Sequence, residues 1–366
     1  MNNIQIDLGD IKYPVLIKPN IINEFCDIYK TVGGKGETYF IVDALVYKKY
    51  KKSFDEKISK LNAKLFCLSA GKSNKTFASA LSIFADLNVN NISRDSTIVA
   101  IGGGVIGDLA GFIASCWYRG VRLIHLPTTL LSAVDSCLGG KTAINFRDTV
   151  NAIGTYHHPI AIFIDTSMIS NLPKREVSSG FGEIIKYSVL GSNDITALLE
   201  GDNSITEDIL GQIIGYSLLT KQKFVKDDVR ESQNRLFLNF GHTIGHAIEF
   251  STIYNGTETL RHGEGVALGM IAIFRICIFL EMLQEKDLGR LVKLLNKYDL
   301  PTSFKASSIG MNKEDLIGKV VDLTFKDKKR TAGSLRLVIA KGWGNPDIYY
   351  TKNRNLIELG AREVIL

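Results

Sequence analysis

Two of the chain's six histidines stand four residues apart in Asn239-Phe240-Gly241-His242-Thr243-Ile244-Gly245-His246. On a helix, positions i and i+4 share a face. A third, His262, follows in Arg261-His262-Gly263-Glu264. Neutral imidazoles gathered from one helix and the start of the next suit a divalent metal. A catalytic zinc commonly keeps three protein ligands and one open position. Glu183, set among small and apolar residues in the run 180–186, can supply a carboxylate ligand. His125, His157 and His158 lack such spacing and read as ordinary hydrogen-bonded residues, His158 in a loop before Pro159.

The second stretch able to do chemistry runs from residue 96 to 145. An apolar run, 98–101, reads as a buried strand and ends in Gly102-Gly103-Gly104, followed by Gly107-Asp108. Another, 122–126, ends in Pro127-Thr128-Thr129, and Gly139-Gly140 comes directly before Lys141. Gly102, Gly104 and Gly107 satisfy G-x-G-x-x-G between a predicted strand and a predicted helix. There, glycines let backbone N–H groups face a pyrophosphate. No acidic residue follows at the distance that usually holds a ribose; Arg119 and Arg122 occupy that region, and Asp43 at the end of an earlier strand can take the role. Lys141, Lys186, Lys221, Arg235 and the pair Lys328-Lys329 stand beside glycine turns or on otherwise apolar helices. Buried cations need anions, and a phosphorylated, carboxylated substrate would supply them.

The elements that must position these groups change character along the chain. Segments 4–8 and 13–18 alternate as an antiparallel pair, 21–29 is helical, and 38–42 is a strand ending at Asp43. A lysine-rich helix covers 45–61. A strand at 65–68 leads to Gly71-Lys72-Ser73-Asn74-Lys75, and a helix covers 77–87. One more strand, 161–164, ends at Asp165. Strands alternating with helices predict a parallel sheet whose ligands bind beyond the carboxyl ends of its strands. From 174 to 298 helical periodicity takes over, at 177–190, 205–225, 236–250, 263–283 and 288–298, with a late strand at 335–339. The expected organisation is a Rossmann-like α/β domain with a mostly parallel sheet over residues 1–170. A mainly α-helical domain, binding metal and substrate, is expected over 171–366.

Composition excludes several classes. At 45% hydrophobic and 22% charged residues the chain reads as soluble and globular. A net charge of +6, without a long basic face interleaved with aromatics, argues against nucleic acid and fits a small anionic substrate. The apolar stretch 266–283 is interrupted by Arg275 and Glu281 and reads as a buried helix, not a membrane span. Five dispersed cysteines and an N-terminus without signal-peptide character point to reduced thiols and a cytoplasmic protein.

The segments GGGVIGDLAGF, PTTLLSAVDS, GGKTAIN, SGFGEIIKY, LNFGHTIGHAIE and RHGEGVALGM together resemble the 3-dehydroquinate synthase family of sugar-phosphate cyclases, over nearly the whole chain. The resemblance implies a lyase that uses NAD without consuming it, in the shikimate pathway of aromatic amino acid biosynthesis. A ring hydroxyl of a seven-carbon 2-keto acid phosphate is oxidised, phosphate is eliminated, hydride returns, and the ring opens and closes again by an aldol step. It implies one zinc or cobalt ion on Glu183, His242 and His262, with His246 near the substrate phosphate in proton transfer. Lys141, Asn151, Lys186, Lys221, Arg235, Asn239 and Lys328 (or Lys329) map onto substrate positions, and Asp135 onto a substrate- or cofactor-side acid. Asp43, Lys72, Lys75, Gly104, Val105, Ile106, Gly107, Asp108, Thr128, Thr129, Lys141 and Asn171 map onto the cofactor side. Arg119 corresponds to an arginine that reaches the neighbouring subunit's site, which implies a homodimer.

Three cofactor-side positions depart from the family pattern. Lys72 replaces a glutamate, Val150 replaces a lysine before Asn151, and Asn171 replaces a threonine. Sister cyclases acting on sedoheptulose 7-phosphate, glucose 6-phosphate or an amino-substituted keto acid are the nearest alternatives. A metal-dependent polyol dehydrogenase would accumulate NADH and need no substrate phosphate. A non-catalytic binding protein is a third class, against which the complete metal triad argues.

Overall fold

Strand residues that are apolar on both faces need helices on both sides of their sheet. A computed structural model describes residues 2–33, 36–69, 71–147, 149–202, 204–226, 228–326 and 334–366. Its elements are, in order, β1 (Asn2–Asp7), β2 (Lys12–Lys18), α1 (Ile21–Val32), β3 (Thr38–Asp43), α2 (Ala44–Lys49), α3 (Lys51–Leu61), β4 (Lys64–Leu68), α4 (Phe77–Val89), β5 (Thr97–Gly102) and α5 (Gly104–Cys116). Then follow β6 (Arg122–Pro127), β7 (Lys141–Phe146), β8 (Thr149–Tyr156), β9 (Ala161–Asp165), α6 (Thr166–Ser170), α7 (Lys174–Val189), α8 (Asn193–Glu200) and α9 (Glu207–Val225). The last are α10 (His242–Ser251), α11 (His262–Phe279), α12 (Glu285–Lys297), α13 (Lys313–Lys326), β10 (Leu335–Ala340), β11 (Pro346–Thr351) and α14 (Arg354–Val364).

The chain divides into two units, Met1–Leu172 with Ile205–Val229, and Pro173–Ser204 with Arg230–Leu366. The first holds a seven-stranded sheet in the order β1-β2-β9-β6-β5-β3-β4. Only β1 pairs antiparallel; every other neighbouring pair is parallel. Tyr39, Ile41, Ile98, Ala100 and Leu123 pack under α4 and α5, while Phe40, Val42, Val99, Ile101 and Phe163 pack under α1 and α3. Each large apolar side chain so buried contributes about 1.5–3 kcal/mol. The strand order reverses between β3 and β5, so Asp43 and the turn at Gly102-Gly103 stand at the switch point where such sheets bind ligands.

The structure differs from the sequence expectation in instructive places. The expected helix 45–61 is two helices broken at Tyr50, which lets Tyr47's hydroxyl reach Asp55 (2.6 Å) while Phe54 enters the core. Residues 141–156 form the unexpected hairpin β7–β8. Helix α9 was expected to belong with the helical domain, but it packs on β1, β2 and α6 of the first unit. Gly215 admits the Ile4 and Ile17 side chains, and Gln222 Oε1 accepts from Asp7 N–H at 3.0 Å.

The second unit is mainly helical, with the small hairpin β10–β11. Its centre is α11, which contacts α7, α10, α12, α14 and β10. By length and composition α11 could span a membrane, but most of its side chains are buried within this unit.

Candidate active site

Helix α11 is held where no side chain fits. A Cβ on Gly263 would lie 1.7 Å from Ser179 O of α7, and one on Gly269 would lie 1.9 Å from Gly241 O. Gly241 itself has φ +76, which ends the preceding 3-10 turn Asn234–Asn239 and starts α10 at His242. The expected continuous helix 236–250 is therefore two pieces, and Asn239 is not on the histidine helix. At the start of α11, Glu264 Oε2 accepts from Arg261 N–H at 2.8 Å, and Arg175 grips both Glu264 oxygens (2.6 and 2.7 Å). His242 and His262 are thus the first residues of two closely packed helices.

Glu183, on α7, lies between them with no exposed surface. Its Oε1 is 3.1 Å from His242 Nε2 and 3.3 Å from His262 Nε2. Lys186, one turn along and 1% exposed, pairs with Oε2. Burial opposes ionisation of Glu183, but Lys186 and His242 outweigh it and hold the carboxyl well below its ordinary range. Even so, both oxygens are buried without a hydrogen bond of acceptable geometry. His242 Nδ1–H donates to Phe240 O (3.0 Å), so in the neutral ring that a metal ligand requires the Nε2 lone pair faces the carboxylate. Two electron-rich atoms at 3.1 Å repel unless a cation lies between them. The ligand atoms of His242, His246 and His262 also fall within 4.8 Å of one another. The arrangement fits a divalent ion, with Nε2-bound imidazoles and a buried carboxylate.

The imidazoles differ in charge. Burial, reinforced by His242 and His262, pushes His246 down to about 3, so it is neutral at pH 7. Burial also disfavours charge on His262, but Glu183 and Glu249 on either side raise it to about 9. Elsewhere in this unit Arg235 is 2% exposed in the 3-10 turn, and Asn239 Nδ2 donates to Glu231 Oε1 (2.6 Å). Glu231 and Glu249 escaped the sequence reading. The signal for Glu249 was present, seven residues after His242 on the same helical face. Lys328 and Lys329 lie outside the described residues.

The first unit gathers other expected residues. Gly103 precedes α5, whose first turn carries Gly104, Val105 and Ile106 and so presents a helix N-terminus. A Cβ on Gly103 would meet Thr129 at 3.1 Å, and Thr128 N–H donates to Gly102 O at 3.0 Å. Lys75, 6% exposed, joins Asp108 and Asn151, the latter at 2.5 Å. Lys221 reaches Asp135 Oδ1 (3.0 Å) and its carbonyl (2.5 Å). Asp43 caps α2 through Leu45 N–H (2.8 Å), and Lys72 sits in the 3-10 turn Lys72–Asn74. Asn171 donates its amide to Ser167 O (2.8 Å), while its own carbonyl accepts from Lys49. Lys141 is exposed, after Gly140, which the His158 ring covers. Arg119 is exposed and left-handed (φ +67), beside Tyr118, also left-handed (φ +48).

Comparison with known proteins gives the family of the chain. Residues 65–179 match the family model for the 3-dehydroquinate synthase N-terminal region, and 180–330 match that for the C-terminal region. A 3-dehydroquinate synthase from Thermoanaerobacter sp. (strain X514) is 33% identical over 365 residues, covering 98% of this chain and 99% of that one. A crystal structure of 2-deoxy-scyllo-inosose synthase with carbaglucose-6-phosphate, NAD+ and Co2+ matches with TM-score 0.85 at 26% identity, over 99% of this chain and 100% of that one. The 2-epi-5-epi-valiolone synthase ValA from Streptomyces hygroscopicus subsp. jinggangensis 5008, with NAD+ and Zn2+ bound, shares the fold at TM-score 0.78 and 20% identity, over 96% of each chain. With both family models matched in order and a relative aligned end to end, the chain belongs to the 3-dehydroquinate synthase family.

Proposed function

We propose that this chain is a 3-dehydroquinate synthase, converting 3-deoxy-D-arabino-heptulosonate 7-phosphate to 3-dehydroquinate and phosphate. The observation that carries the metal-dependent part is Glu183, buried without a well-formed hydrogen bond and faced by two imidazole Nε2 atoms. When bound, NAD supplies a hydride acceptor that is regenerated, and a divalent zinc or cobalt ion supplies Lewis acidity that lowers the pKa of the hydroxyl to be oxidised. Glu183, His242 and His262 hold the ion. The first turn of α5 and Thr128-Thr129 hold the cofactor's phosphates, Asp43 its ribose, and Lys72, Lys75, Asp108 and Asn171 lie along its path.

The chain's own side chains then bind and move protons. Lys141, Asn151, Lys186, Lys221, Arg235, Asn239 and Lys328 meet the anionic groups and hydroxyls of the substrate, where fixed cations stabilise the charge that develops as phosphate leaves. Lys186 is held ready by Glu183, and Lys221 by Asp135. His246, neutral at pH 7, carries a proton near the departing phosphate. Arg119 completes the site of a second copy in a homodimer, a reading supported by its exposed, left-handed conformation. Five free cysteines accord with a reducing, cytoplasmic setting.

Substrate choice tests this reading against the sister cyclases. Metal-loaded protein with NAD is offered the heptulosonate phosphate, sedoheptulose 7-phosphate and glucose 6-phosphate in turn, and released phosphate is measured. Turnover of the heptulosonate alone is expected; turnover of either sugar phosphate in its place contradicts the assignment.

A further inference from the structure

Glu249 is a buried carboxylate that the mechanism above does not use. It is 4% exposed on α10, and its Oε2 lies 3.4 Å from His262 Nδ1. The other nitrogen of the same ring, Nε2, faces Glu183 Oε1 at 3.3 Å. The ring is therefore flanked by a carboxylate at each nitrogen. Gly265 of α11 borders this approach, where a Cβ would sit at ordinary contact distance, 3.4 Å from Glu249 Cβ and 3.5 Å from its Oε2. Charge also calls for a second anion. His242 and His262 begin α10 and α11, so two helix N-termini present their positive ends near the site. A dication there is opposed by both, and Glu183 alone offsets only one charge. Carboxylates behind metal-bound imidazoles fix the ring's tautomer and raise its basicity.

We propose that Glu249 is a positioning residue for the metal centre. It accepts the Nδ1–H of His262, directs the Nε2 lone pair toward the ion, and adds the negative charge that the two helix ends require. This inference rests on the metal-dependent reading above.

The test is zinc and cobalt binding to the full chain, stripped of metal and titrated in competition with a chelator. Glu249→Ala is expected to bind about a hundredfold more weakly than wild type. Glu249→Gln, whose amide oxygen still accepts a hydrogen bond, is expected about tenfold weaker, these being the two ends of the range for such outer carboxylates. The visible spectrum of bound Co2+ should shift in Glu249→Ala and return toward wild type in Glu249→Gln. Circular dichroism and thermal melting establish that each variant is folded. Wild-type affinity and cobalt spectrum in folded Glu249→Ala overturn the proposal and leave the metal reading standing. A wild-type protein that binds neither ion overturns both. If Glu249→Ala does not fold, Glu249→Gln decides, and unchanged affinity in it overturns the proposal.

Discussion

Glu183→Gln keeps the shape of the side chain and removes its charge. Lys186, 1% exposed, then faces an amide, and a buried pair broken on one side typically loses about 3–5 kcal/mol. Metal affinity should fall by on the order of a hundredfold or more, since losing a ligand exceeds losing an outer-shell partner. Elemental analysis of purified protein checks the first-order claim, and full metal content with full turnover would contradict the ligand assignment. At this scale the sequence was informative wherever spacing encoded geometry. His242, His246 and His262 stood out through their spacing, and Glu183 through its small, apolar neighbours. Glu231 did not, because its partnership with Asn239 depends on a left-handed turn at Glu231 (φ +61) that no periodicity announces.

Helices place these side chains, and their spacing depends on missing atoms. Gly269→Ala would put a methyl 1.9 Å from Gly241 O and 2.7 Å from Gly245 N, backbone that cannot rotate away. We expect a loss of about 1–3 kcal/mol or more, with weakened metal binding as α10 and α11 separate. Gly289→Ala on α12 meets nothing within 4 Å and should stabilise by about 0.4–1 kcal/mol. Urea unfolding of the pair is the check; equal stabilities would contradict the packing account. Glu37 offers a pH-dependent counterpart in the first unit. Hydroxyls of Ser93 and Ser96 hydrogen-bond to its carboxylate and lower its pKa to about 2, from 4.5. A depressed pKa means its contribution is present above about pH 4.5 and lost as pH falls through 2. Glu37→Gln should therefore lower the neutral plateau and flatten the acid limb of the stability curve, the two proteins converging as pH falls through 2, as read by unfolding midpoints across pH. Element types were largely legible from apolar periodicity. The hairpin β7–β8 was not, because β8 is mostly exposed and carries little apolar alternation. The break at Gly241 was hidden because the apolar pattern continues across it.

For the whole molecule, the parallel sheet and the later helical unit follow from strands alternating with helices and then giving way to them. The place of α9 does not. Its periodicity fixes an apolar face, and only tertiary packing on β1 and β2 selects the first unit. Assembly beyond one chain leads to a complementation test. If Arg119 serves a neighbouring subunit, Arg119→Ala and Glu183→Gln should each be inactive alone. Mixed after subunit exchange, they should regain about a quarter of wild-type activity, because half the dimers are hybrids and each hybrid has one intact site. No recovery, with hybrids demonstrated by mass, would contradict a shared site.

The central claim is that NAD is reduced and reoxidised within one turnover that ends in phosphate loss. The direct measurement supplies metal-loaded protein with excess 3-deoxy-D-arabino-heptulosonate 7-phosphate and substoichiometric NAD, and follows phosphate release together with absorbance at the NADH band. The account predicts many equivalents of phosphate per NAD and no accumulating NADH. NADH rising in step with substrate consumed, with no phosphate released, would identify a dehydrogenase and contradict it.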